Sequence, residues 1–375
     1  MVKYKVIMSE PDLGGRELEY LSRCVSENWI SSAGPFIEEF EQKIAGFFGR
    51  KHAVSTSNGT SALTIALKAA NIGPNDRVLV PDWTFSGSIN SVLNMGAQPV
   101  LCDIDLNTFG ISIDEVEKYL SMQTEDGDAI KAIMVVHPLG LPLDLKKLYA
   151  LSEKYGVVII EDAAGAFGSG IGGELIGSRG DFVTFSFNGN KVLTSAGGGM
   201  VLTDSDQVAQ KMRLFRSNSA GVYDYHVPSF NHQMLNIAAA IGMAQFERHD
   251  VMLSRRKEIY ETYVEQIPTD HSFFSIKSIP SNAEFNYWMF WLVFDNKLHA
   301  EEFILYMEDL QIQTRVFWKS LSISRAFDKV LKTDLTNSHA LSGRVVTIPA
   351  GSALTDQNQS IVIDAIKSWV KSKAI

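Results

Sequence analysis

From residue 52 onward the chain alternates short apolar runs with stretches of helical period. The runs fall at 53–55, 77–80, 99–103, 132–136, 157–160, 182–187 and 200–202. The periodic stretches lie between and after them, at 60–70, 86–95, 113–120, 144–155 and 206–216. Strands alternating with helices predict an α/β fold on a mainly parallel sheet. The runs are continuously apolar, the pattern of strands covered on both faces. Ahead of them, residues 11–27 read as a mixed helical lead-in. Gly34-Pro35 then opens a helix to about residue 48, with Phe36, Phe40, Ile44 and Phe47 on one stripe, which is core packing. Beyond residue 246 the texture shifts. A charged helical stretch at 247–264 leads into less regular sequence with Pro268, Pro280 and several aromatics, and an amphipathic segment at 360–370 ends the chain. The predicted division is a large α/β domain over residues 1–248 and a smaller C-terminal α+β domain over 249–375.

Composition agrees with that picture and removes some functions. A chain of 375 residues with 45% hydrophobic and 21% charged positions is ordinary globular material, long enough for two domains. The net charge of −9 comes without a basic stripe, which argues against a nucleic-acid partner and leaves a local anion site open. Cys24 and Cys102 make neither a disulfide framework nor a metal spacing, so no metal is expected. The opening MVKYKVIMSE has no apolar signal core, and no apolar run is long enough to span a bilayer. The expectation is a cytoplasmic protein that does not engage a membrane.

Candidate chemistry gathers at the carboxyl ends of the predicted strands, where ligands sit in open α/β sheets. Ser57-Asn58-Gly59-Thr60-Ser61 follows a strand and opens a helix, so free N–H groups and the helix dipole there suit an anion, although the same residues make an ordinary N-cap. Trp83-Thr84-Phe85 follows another strand and offers an aromatic for stacking, with core packing the commoner fate. Glu161-Asp162 ends the run at 157–160. A carboxylate there needs a fixed partner such as a protonated ring nitrogen or an arginine, or else caps the next helix. Lys191 leaves the run at 182–187 just before Gly197-Gly198-Gly199. In a dry pocket its pKa would fall, as a Schiff-base nucleophile requires, whereas most lysines are exposed. Each signal is weak alone. In this order they match the three needs of pyridoxal 5'-phosphate: an anion hole, a carboxylate for the ring nitrogen and an amine for the aldehyde. No competing hydrolase, zinc-protease or dinucleotide motif is present.

The segments Trp29-Ile30-Ser31-Ser32, Asn58-Gly59-Thr60-Ser61-Ala62-Leu63, Pro81-Asp82-Trp83-Thr84-Phe85, Glu161-Asp162-Ala163-Ala164, Phe185-Ser186-Phe187-Asn188-Gly189-Asn190-Lys191 and Phe230-Asn231-His232-Gln233-Met234 carry a more specific likeness. In order and spacing, over residues 10 to 250, the chain resembles the fold-type-I, pyridoxal-phosphate-dependent sugar-nucleotide aminotransferases of the DegT/StrS family. Within it, the first and fifth segments look most like enzymes that aminate C4 of a 4-keto-6-deoxy nucleotide sugar. The resemblance implies that Lys191 binds the cofactor and moves the proton, and that Asp162 pairs with the ring nitrogen. It further implies that Gly59, Thr60 and Ser186 hold the phosphate and that Phe85 stacks on the ring. Asn231 would reach the phosphate in the neighbouring subunit, so the active unit would be a homodimer. L-glutamate would be the amino donor and a nucleotide sugar the acceptor. Ser31, His137, Arg315 and Lys319 are the candidates for touching substrate.

The chain also departs from the family's pattern. The Gln or His usual three residues after the aspartate is Gly165, the usual Gly-Glu-Gly-Gly reads Ala196-Gly197-Gly198-Gly199, and Gln233 replaces an arginine. In the C-terminal part, Arg315-Val316-Phe317-Trp318-Lys319-Ser320-Leu321 lacks the usual prolines and histidine. Three rival readings follow. A sugar dehydratase of the same cofactor class carries His in place of the lysine, and Lys191 counts against it. A catalytically silent sugar-nucleotide-binding relative draws its support from Gly165. A fold-type-I enzyme acting on amino acids would use Arg315 for the α-carboxylate. His137 follows a strand and is open to a pocket role or a packed structural one. His226 and His232 flank Asn231 and are left unassigned.

Overall fold

All seven apolar runs become strands of one sheet. In the computed structural model, which describes residues 4–122, 129–217 and 227–373, the sheet has eight strands. Their order is His52–Thr56, Gly199–Thr203, Val183–Ser186, Val158–Asp162, Ile130–Val136, Arg77–Pro81, Gln98–Cys102 and Leu331–Lys332. Every neighbouring pair is parallel except the two made by Gly199–Thr203. Alternate residues along the strands enter different cores. Val78, Val80, Ala132, Met134 and Ile160 pack with the helices Gly59–Ala69 and Ser86–Asn94. Leu79, Ile133, Val135 and Ile159 pack with Ile113–Ser121 and Lys146–Tyr155. Covering on both faces is why the runs are continuously apolar.

The C-terminal part forms a four-stranded antiparallel sheet in the order Phe274–Ser275, Phe290–Phe294, Val345–Ile348, Arg315–Val316. The helices His249–Gln266, Lys297–Asp309 and Asp356–Lys373 bury Ile259, Phe303, Ile366 and Trp369 against it. This part also returns to the large sheet. Asp82, at a strand end, accepts hydrogen bonds from the Ser322 N–H (2.7 Å) and the Ser338 hydroxyl (2.8 Å). Asp103 accepts from the N–H groups of Asn337 (2.9 Å) and Ser338 (2.7 Å). A buried carboxylate needs such donors, and here they draw residues 320–338 across the strand ends.

Among the described residues, three helices lie outside the sequence expectation, Asn236–Phe246, Lys297–Asp309 and the short Thr336–Leu341, while Glu17–Ser26 falls within the helical lead-in. The first is apolar on nearly every side, so it shows no stripe to read. Its Asn236, fully buried, binds the early segments to the core. The amide accepts from the Phe36 N–H (3.0 Å) at the start of Pro35–Phe47 and donates to the Trp29 carbonyl (2.8 Å). Gly34, at φ 147°, is required there, because a Cβ would lie 2.4 Å from the Asn236 amide carbon.

Candidate active site

The strand Val158–Asp162 runs parallel to both neighbours and delivers Asp162 at its carboxyl end. The side chain is 6% exposed. It accepts hydrogen bonds from the Ser88 hydroxyl (2.8 Å) and the Ala164 N–H (3.2 Å). Burial holds its carboxyl above the ordinary range; the two hydrogen bonds and the nearby Lys191 and His137 pull the other way. Among the described residues, no cation is bonded to it, so its charge is only partly compensated.

Lys191 stands opposite on the turn that leaves Val183–Ser186, where its N–H donates to the Asn188 carbonyl (3.0 Å). The turn is fixed because Phe187 exchanges backbone bonds with Ser195 and Gly198, each 2.8 Å. The Lys191 amine lies 4.0 Å from the centre of the Trp288 indole, over its face. Desolvation pushes its pKa down to about 8, with Asp162 acting in opposition. A good fraction of such an amine is uncharged at neutral to mildly basic pH, as a nucleophile requires.

The third part is the start of the helix Gly59–Ala69. Asn58 caps it by accepting from the Ser61 N–H (2.8 Å). The N–H groups of Gly59 and Thr60 keep no acceptor among the described residues, and the helix dipole makes that corner favourable to an anion. Ser186 closes one side, near enough that a Cβ on Gly59 would lie 2.8 Å from its own Cβ. Thr60 and Phe85 meet on the other side around Gly87, where a Cβ would lie 2.9 Å from the Thr60 hydroxyl and 3.1 Å from the Phe85 ring. Only glycines leave this cradle open. Phe85 is 62% exposed beside it. Trp83, the other aromatic of that segment, is fully buried and donates its indole N–H to the Trp318 carbonyl (3.1 Å), so it is core.

The structure thus brings Gly59, Thr60, Phe85 and Ser186 together around one cradle and sets Asp162 and Lys191 close enough to influence each other's charge. Asn231 is exposed on the segment leading to Asn236–Phe246. Ser31 is exposed and accepts from the Asn236 N–H through its carbonyl (2.7 Å). Arg315 and Lys319 are exposed on the segment whose Phe317 packs on Trp288, with ring centres 5.7 Å apart. His137 is different. Its Nδ1 accepts from the Leu143 N–H (3.2 Å), which leaves Nε2 protonated toward Glu161 (3.3 Å). At 2% exposure with both nitrogens engaged, it is packed as a structural histidine is. His232 stacks on Phe230 at 5.0 Å, and burial lowers its pKa. His226 lies outside the described residues. Sequence reasoning missed Ser88, Asn286 and Trp288. Ser88 is an ordinary helical serine by pattern, and the other two come from a remote aromatic stretch.

Pyridoxal 5'-phosphate carries an anion, a basic ring nitrogen and an aldehyde, and an open helix start, a buried carboxylate and a desolvated amine are groups that suit them. The fold and site define a pyridoxal-phosphate-dependent aminotransferase. Residues 11–367 match the DegT/DnrJ/EryC1/StrS aminotransferase family, and the chain belongs to that family. The chain is 34% identical to the GDP-perosamine synthase of Caulobacter vibrioides, over 96% of this chain and 97% of that one. It is 32% identical to the GDP-perosamine synthase of Vibrio cholerae, over 96% and 98%. Among solved structures, it superposes on a DegT/DnrJ/EryC1/StrS aminotransferase from Brucella abortus with a TM-score of 0.87 at 25% identity, over 94% of this chain and 95% of that one.

Proposed function

We propose that the protein transfers an amino group from L-glutamate to the C4 ketone of a 4-keto-6-deoxy nucleotide sugar, with a GDP-linked sugar as the first candidate. The observation that carries this reading is the desolvated Lys191 amine facing Asp162 beside an open helix start, in a chain similar to GDP-perosamine synthases. The cofactor, when bound, supplies the electron sink for breaking and making the bond between hydrogen and the amine-bearing carbon. Lys191 binds the aldehyde and then, released, carries the proton to and from that carbon. Asp162 keeps the ring nitrogen protonated. Gly59, Thr60 and Ser186 hold the phosphate, and Phe85 covers the ring. Ser31, Arg315 and Lys319 line the approach for the nucleotide sugar. The presence of the lysine favours amino transfer over a dehydratase or a silent relative.

The test uses glutamate labelled with 15N and a panel of GDP-, UDP- and dTDP-linked keto sugars. The expected result is label in the sugar of one nucleotide class, read by mass spectrometry. Cofactor-loaded protein that moves no label into any keto sugar overturns the reading.

The reading extends to assembly. Asn231 contributes to the partner's phosphate site in a homodimer. The exposed Leu18, Val25, Trp29, Ile30 and Leu235 and an apolar cavity of about 290 Å³ at Ile237 and Ile241 supply a face of the right character. Light scattering should give twice the chain mass, and a monomer at working concentration would remove Asn231 from the site. Among the described residues no helix is long and apolar enough to cross a membrane.

A further inference from the structure

Trp288 is far from Lys191 in sequence, yet its indole is the surface on which the Lys191 amine rests, 4.0 Å from the ring centre. The indole is 3% exposed and is pinned from several sides. Its Nε1–H donates to the Asn190 carbonyl (2.7 Å), next to Lys191 in the chain. Its backbone N–H donates to the Asn286 side chain (3.0 Å), and its carbonyl accepts from Arg256 (3.1 Å). Asn286 in turn donates to the carbonyls of Gly165 (2.7 Å) and Phe167 (2.9 Å). The opposing wall is Gly165. A Cβ there would lie 2.3 Å from Cζ3 and 2.4 Å from Cε3 of the indole, so the ring, which is not the end of a flexible side chain, would have to shift. Gly165 is buried and has no left-handed backbone to explain it, so the glycine is there for space.

We infer that Trp288 and Gly165 form one exchanged unit: the indole occupies the room that any side chain at 165 would need, and its face positions the Lys191 amine whenever that amine is not bonded to the cofactor. The inference rests on the proposed role of Lys191. The physical basis is the attraction between an ammonium and the negative face of an indole, which strengthens away from water. It holds the amine in place without a hydrogen bond that would have to break when the amine reacts. It also favours the charged form, against the desolvation that lowers the Lys191 pKa. The charged group acting on Lys191 is Asp162. Tryptophan at 288 is therefore a positioning residue, and the missing side chain at 165 is its steric condition.

The experiment follows the loading of apoprotein with pyridoxal phosphate, read as growth of the visible absorbance, across pH 6 to 10. The rate requires the neutral amine, so its inflection reports the Lys191 pKa. Removing the indole face with Trp288→Leu is expected to move the inflection down by about half to one pH unit. Trp288→Phe, which keeps a weaker face, should move it less. Gly165→Ala should shift it in the same direction as Trp288→Leu, because the added methyl displaces the ring. Gly165→Gln should load poorly alone and recover when combined with Trp288→Leu, the non-additivity expected of one unit. An unchanged or raised inflection in Trp288→Leu overturns the inference, as does wild-type behaviour in Gly165→Ala. If Trp288→Leu fails to fold, the Trp288→Phe and Gly165→Ala profiles decide alone. Wild-type apoprotein that never acquires the band refutes the role of Lys191 itself, a different result from a band whose inflection ignores Trp288.

Discussion

Lys191→Ala is expected to abolish turnover, by roughly four orders of magnitude or more, because one substitution removes both the covalent attachment and the acid–base group. The visible band of the bound cofactor should vanish with it. The same site predicts a gain elsewhere, best measured on Lys191→Met, which keeps the packing of the stem. Lys191 has a folded pKa of about 8 against an ordinary 10.5. Between these values the unfolded chain binds more protons, so wild-type apoprotein gains stability as pH rises from about 8 to about 10.5. Below about 8 it carries the full cost of the buried ammonium, on the order of 2 kcal/mol with the indole offsetting part. Lys191→Met apoprotein should therefore melt higher than wild type at pH 7, and the difference should close by about pH 10.5. Turnover within tenfold of wild type would sink the assignment. A variant that melts lower at pH 7 would mean that the amine is better satisfied than its surroundings imply.

The fold was legible wherever burial has a period. The sheet's strands were readable because helices cover both faces, so the chain cannot alternate there. Pro35–Phe47 was readable because its stripe meets a single core, with Phe36, Phe40 and Ile44 all buried. Asn236–Phe246 was not, since a helix buried nearly all round has no polar side to mark its turns. The strand Leu331–Lys332 was equally hidden. Two exposed residues that join the edge of a sheet leave no pattern, and their place depends on the remote carboxylates Asp82 and Asp103.

The site divides along the same line. Asp162, Lys191 and the opening of Gly59–Ala69, which make up the proposed site, stood out because each follows an apolar run, a position that the chain itself announces. Ser88 and Trp288 did not, because they act across the fold. Gly165 shows the limit most clearly. In sequence it is a missing polar side chain and reads as a defect; in the structure the absence is filled by an indole from more than a hundred residues away. His137, whose place after a strand left a pocket role and a packed one equally open, has both nitrogens taken by the Leu143 N–H and Glu161, as a packed histidine would.

Asp162→Asn should cost about a thousandfold in kcat/KM while leaving the protein folded. The amide oxygen keeps the bond from the Ala164 N–H, and the amide N–H can donate to the Ser88 oxygen once that hydroxyl turns, so the local cap survives. What it cannot do is hold a positive charge on the ring nitrogen, and without that charge the electron sink weakens; one preorganised electrostatic contact in a dry site is worth two to three orders of magnitude. Stability should move the other way. The Asp162 carboxyl titrates above its ordinary 3.8 in the fold. Its contribution is therefore fully present below pH 3.8 and is lost as pH rises through the folded value, so at pH 7 the unpaired carboxylate is a burden on the apoprotein. Apoprotein carrying asparagine should melt at or above the wild-type temperature at pH 7. Adding pyridoxal phosphate should then raise the wild-type melting temperature by more than that of the variant, since only the carboxylate gains a cation on binding. If Asp162 were only a helix cap, both proteins would respond equally to the cofactor and turnover would barely change. Equal thermal shifts with near-normal kcat/KM would overturn the pairing of Asp162 with the ring nitrogen, whereas a lost shift with a retained fold would assign that nitrogen's partner directly.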